Sequence, residues 1–119
     1  MLVTGSTGYV GRRLVVRLAE RGTPVRALVH SASDELPAGV EAVEGDVTDS
    51  SSLGPACEGV DVVVNLASIT ADRKPPPGGY DRVNAEGPAA VAAAARAAVV
   101  ITLSSFEALR GCERLHPSR

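Results

Sequence analysis

A chain of 119 residues that is 45% hydrophobic is long enough for one domain with its own core and too apolar to be disordered. Its net charge of −2 and 3% aromatic content supply neither a basic footprint nor a base-stacking platform, so nucleic acid is not an expected partner. No apolar run is long enough to span a bilayer and no leader pattern opens the chain, so neither a membrane nor export is expected.

Short apolar runs alternate with helical stretches. "MLVTG" is an apolar run ending in glycine and predicts the first strand. "YVGRRLVVRLAERG" predicts a helix with Val10, Leu14, Val15 and Leu18 on one face, closed by Gly22. "PVRALV" and "VEAVEGD" predict the second and third strands. "TDSSSLGPACEG" holds a short helix with Thr48 or Asp49 as its cap and Gly59 behind it. "VDVVVNLA" is the most β-branched run and predicts a buried central strand. "DRKPPPGG" is a loop. "YDRVNAEGPAAVAAAARAA" predicts a helix that Gly87-Pro88 divides or delays, and "VVITLSS" a fifth strand. Residues 106–119 show no period and are expected to form an irregular tail.

Strands separated by helices need crossover connections, which give a parallel sheet covered on both faces. The expected architecture is α/β, a doubly wound sheet of order 3-2-1-4-5. Cys57 and Cys112 lie too far apart in sequence for a disulfide framework and suit a reducing, cytoplasmic setting. Cys112 and His116 could make half a metal site; His30 is the only other histidine, so no metal is expected.

Gly5, Gly8 and Gly11 fall at intervals of three where the first strand meets the first helix. In this context Gly5 can take the angles of a tight turn, Gly8 leaves room for a pyrophosphate, and Gly11 lets the helix lie close to the sheet. Free amides at the helix start would face the phosphates, helped by the helix dipole. A mononucleotide P-loop needs Gly-Lys-Ser/Thr, and the only lysine is Lys74.

Further segments follow in order: "EGDVTD", "VNLAS", "YDRVNAEG" and "TLSS". With "TGSTGYVG" they make the chain resemble the short-chain dehydrogenase/reductase superfamily over roughly residues 1–105. Within it the chain is similar to the extended and atypical branches, the NAD-dependent epimerase/dehydratases and their NAD(P)-binding relatives. The resemblance implies a Rossmann-like NAD(P)-binding domain and a set of cofactor contacts. Gly5, Ser6, Thr7, Gly8, Tyr9, Val10 and Gly11 would form the opening loop. Asp46 would approach the adenine with Val47 beside the ring. Asn65, Leu66 and Ala67 would lie along the cofactor, Asn84 would contact it from its helix, and Ser104 would stand near the nicotinamide. Each polar residue also has a plain structural use: Asp46 can end a strand, Asn65 can be a satisfied strand-end amide, and Asn84 can cap a helix.

NAD binders place an acid at the end of the second strand. Here that strand runs into "LVHSAS", and the first acid is Asp34. His30, with Ser31, Ser33 and Arg12, could accommodate a 2′-phosphate, so NADP is expected in preference to NAD.

The superfamily's tyrosine, activated by a lysine four residues on, has no counterpart. Tyr9 is followed by Arg13 at that spacing and Tyr80 by Asn84, so no catalytic residue is assigned and Tyr9 is read as a packing residue. In the register of "SSFEALRG", Phe106 occupies the catalytic serine position. Relatives continue past the fifth strand, and the expectation is a shortened copy, incomplete at its C-terminal edge, that self-associates through the exposed fifth strand. The expected function is cofactor binding without catalysis; the alternative is a non-catalytic NADP sensor or an interaction protein that retains the fold.

Overall fold

The computed structural model describes residues 1–31, 35–67, 82–96 and 99–103, and among them strands and helices alternate except that the third strand follows the second with no helix between. β1 (Leu2–Thr4) leads to α1 (Tyr9–Glu20), followed by β2 (Arg26–Val29) and β3 (Glu41–Glu44). Then come α2 (Ser50–Cys57), β4 (Val62–Asn65), a π-helical turn (Arg82–Glu86), α3 (Gly87–Ala95) and β5 (Val99–Thr102). All the pairings are parallel, in the order β3-β2-β1-β4-β5, the doubly wound order that the alternation predicts.

β1 is central and buried along its whole length, which its apolar run requires. Successive side chains go to opposite faces. Leu2 joins Leu28, Val47, Leu53, Val63 and Val91 on the side covered by α2 and α3. Val3 joins Val15, Val25 and Val64 on the side covered by α1. The strongly apolar "VDVVVNLA" supplies β4, which pairs with β1 on one edge and β5 on the other.

The helix ends obey local chemistry. At the end of α1 the amide of Thr23 donates to the Leu18 carbonyl and that of Gly22 to Ala19, a closing pattern that the left-handed Gly22 (φ 74°) permits. Asp49, rather than Thr48, caps α2: its carboxylate accepts from the Ser51 amide at 3.1 Å. The Arg26 guanidinium holds the other end of α2, donating to the carbonyls of Ala56 (2.8 Å) and Glu58 (2.9 Å) while pairing with Glu41 at 3.1 Å. Gly87-Pro88 does divide its helix, with the π-helical turn before it and α3 after it.

Val10 departs from its predicted face. The buried stripe of α1 is centred on Gly11 and Val15, with Leu14 and Leu18 half-buried beside it; Val10 lies off that stripe and is 48% exposed. On β5, Val100 packs toward the α2–α3 core, whereas Val99, Ile101 and Leu103, alternate residues on the opposite face, are all more than half exposed. Among the described residues no helix is long and apolar enough to cross a membrane. The tail 106–119 lies outside them.

Candidate functional site

The site is built where β1 stops. Thr4, its last residue, is opposite Asn65 of β4. The chain then turns at Gly5 (φ 68°), whose carbonyl accepts the Gly8 amide at 3.1 Å. A side chain at Gly5 would collide with β4's continuation: its Cβ would lie 2.6 Å from the Leu66 carbonyl carbon and 2.7 Å from the Ala67 nitrogen. Both the conformation and the close approach therefore require glycine at this position.

Gly11 is constrained more tightly, by a neighbour the sequence did not indicate. A Cβ there would stand 1.9 Å from the Gly5 carbonyl oxygen and 2.9 Å from the Ser6 Cα. The third glycine thus lets α1 rest on the turn itself, where closeness to the sheet was expected. Gly8 is different: its backbone is extended, and a Cβ would meet only the Gly5 oxygen, at 3.3 Å.

α1 begins without a side-chain cap, and its first intrahelical bond runs from the Arg12 amide to the Gly8 carbonyl at 2.9 Å. The amides of Tyr9, Val10 and Gly11 therefore have no acceptor within the helix and sit at the positive end of its dipole. Thr7, Gly8, Tyr9, Arg12 and Arg13 line an open pocket of about 290 Å³ beside them. Tyr9, read as a packing residue, is instead 77% exposed; the first position of α1 points it away from the sheet, and the Arg13 guanidinium lies over its ring, 4.4 Å from the centroid.

Beneath the loop lies a buried polar network. The Thr4 hydroxyl donates to the Asn65 side-chain oxygen and accepts from the amides of Leu66 (3.2 Å) and Ala67 (3.3 Å). Thr4 is fully buried and Asn65 nearly so. Asn65 is thus a satisfied strand-end amide that joins β1 to β4, with the half-buried Leu66 and Ala67 behind it. Sequence reasoning missed Thr4; its only signal was a hydroxyl directly before the first glycine. On the other side, the buried Ser6 hydroxyl donates to the Leu28 carbonyl of β2 at 3.2 Å.

Asp46 ends β3 as a turn former: one carboxylate oxygen accepts from both the amide and the hydroxyl of Thr48, each at 2.8 Å. The Val47 side chain is buried in the α2–α3 core. His30 and Ser31 are exposed just past the end of β2. Asn84 lies in the π-helical turn; its side chain, like Ser33 and Ser104, is outside the described residues.

The loop, His30, Asp46 and Asn65 all sit at the carboxyl ends of parallel strands, and β1 and β4 flank the point where strand order reverses. Ligands of open α/β sheets bind in that crevice. A larger groove of about 900 Å³ opens near the start of β4, lined by Ala90, Ala93, Ala94 and Cys57 among others. It faces the opposite end of the strands, away from the glycine turn. Burial pushes the Cys57 thiol up, against the pull of Arg26, so Cys57 is a protonated wall residue there.

A parallel sheet of this order, with this glycine spacing at its first turn, defines a Rossmann-like fold of the short-chain dehydrogenase/reductase kind. The model of the NAD dependent epimerase/dehydratase family matches residues 1–114, and the chain belongs to that family. It is 38% identical to a ceramide reductase of Caulobacter vibrioides over 101 residues, covering 81% of this chain and 31% of the reductase. A short-chain dehydrogenase/reductase superfamily protein from Agrobacterium tumefaciens, solved with bound NAD, superposes with a TM-score of 0.75 at 34% identity, over 89% of this chain and 32% of that one. A uronate dehydrogenase variant from the same organism, complexed with NAD, gives 0.72 at 30% identity, over 87% and 40%. The chain therefore spans about a third of the reductase's length.

Proposed function

We propose that the chain binds a nicotinamide dinucleotide through its opening loop, prefers NADP to NAD, and carries out no chemistry of its own. One observation carries the reading: Gly8 leaves an open mouth over uncapped helix amides, in a loop whose other two glycines are demanded by packing. The NAD in the two solved relatives supports a nicotinamide dinucleotide at this loop.

The preference for NADP rests on the end of β2. His30 is exposed there, Ser31 follows, and no acid stands close behind to hold a ribose hydroxyl. His30→Asp is expected to move the NADPH-to-NADH affinity ratio toward NADH by about tenfold, since a carboxylate beside a 2′-phosphate is a like-charge contact. Competitive titration of the two cofactors measures it. An unchanged ratio would remove His30 from the specificity argument.

We infer self-association of this chain through the β5 edge as a second property, since Val99, Ile101 and Leu103 at that strand are all more than half exposed. Sedimentation velocity on the 119-residue chain is expected to show concentration-dependent dimers. A monomer at all concentrations would contradict this.

A further inference from the structure

Ser6 belongs to the loop that the family resemblance assigns to the cofactor, yet its hydroxyl points into the protein. Along β2, the carbonyls of Val25 and Val29 accept from Glu41 and Gly45, on the β3 side. Carbonyls alternate in direction along a strand, so that of Leu28 faces β1. β1 pairs with β2 through Val3↔Ala27 and then leaves the sheet at Gly5. The Leu28 carbonyl thus points at a position the β1 backbone has vacated, and the Ser6 hydroxyl fills it at 3.2 Å. With Ser6 only 2% exposed, that hydroxyl cannot reach a ligand without abandoning the carbonyl.

We propose that Ser6 is a positioning residue: it fixes the diphosphate loop to β2, the strand that ends at His30, and so holds the loop in its binding shape before ligand arrives. The proposal rests on the dinucleotide reading of the same site. Thr4 holds the loop's β4 side through Leu66 and Ala67, and Ser6 holds its β2 side. Gly5 and its turn lie between the two anchors. The loop's internal bond, from the Gly8 amide to the Gly5 carbonyl, reports on that shape.

The test is Ser6→Ala in the full 119-residue chain, with Ser6→Cys, which keeps a weak donor of similar size, as the second variant if alanine does not fold. Two quantities are read. Amide exchange at Gly8 is expected to quicken about fivefold, as loss of one net hydrogen bond implies, while exchange at Glu41, in the β2–β3 ladder, stays the same. Affinity for ADP is expected to fall by about the same factor, while that for AMP, which lacks the diphosphate, does not change. Unchanged exchange at Gly8, or equal losses for ADP and AMP, would overturn the proposal. If the unaltered chain bound no ADP, the dinucleotide reading would fail by itself, and the exchange comparison would still decide whether Ser6 holds the loop.

Discussion

Gly11→Ala is expected to lower stability by about 2–3 kcal/mol, the upper range for overpacking a closed site. The added methyl would start 1.9 Å from the Gly5 carbonyl oxygen, with backbone on both sides of the contact and no flexible side chain able to move aside. Relief requires either lifting α1 from the turn or twisting Gly5. The first route strips Val15 from its contacts with Val3, Val25 and Val64. The second drives Gly5 against the Leu66–Ala67 peptide, already within 2.7 Å of its missing Cβ. Alanine's better helix propensity, worth about 1 kcal/mol in a helix interior, offsets only part of this. Urea denaturation should show a lower midpoint with an unchanged slope. A stability equal to that of the parent would mean that the loop and α1 are not packed as described.

Gly8→Val should have the opposite profile. The extended backbone at Gly8 (φ −76°, ψ 177°) suits a β-branched residue, and the one close neighbour, the Gly5 oxygen, would be 3.3 Å from the new Cβ. The fold should lose only about 1 kcal/mol, from a poorer helix cap. Binding should fall about a hundredfold, because the branched side chain covers the helix amides and displaces two hydrogen bonds to charged phosphate at about 1.5 kcal/mol each. Titration with NADPH, alongside thermal melts of both proteins, separates the two effects. Unimpaired affinity in Gly8→Val would show that the diphosphate does not lie over this residue. Together the two variants divide the motif into a glycine needed by the fold and a glycine needed by the ligand.

The sheet was legible in the sequence because β1, β2, β4 and β5 carry compact apolar runs, α1 has an apolar face and α2 an Asp49 cap; β3, with Glu at both ends, was marked more weakly. Crossovers implied parallel strands, and the doubly wound pattern supplied their order. The site was legible as a place but less so as a set of contacts. Glycine spacing located the turn, but only the folded chain shows Gly11 against Gly5 and not against the sheet. Thr4, Ser6 and Asn65 are polar residues in apolar surroundings, and a sequence cannot tell a hydroxyl aimed at a ligand from one aimed at a carbonyl. Thr4 and Ser6 proved to be staples to β4 and β2, at sequence separations of 61 and 22 that no local pattern encodes. Tyr9 and Val10 were misplaced for a related reason: apolar character suggested burial, while their position on the first turn of α1 set them outside the stripe that meets the sheet.

A diphosphate held by the opening loop is the central requirement for dinucleotide binding here. Fluorescence titration of the 119-residue chain with NADPH, at a protein concentration where circular dichroism shows the α/β fold intact, tests this directly. The expected result is saturable enhancement of nicotinamide emission, reversed by excess ADP. A folded chain that gives no saturable signal with NADPH, and none with NADH, would contradict it.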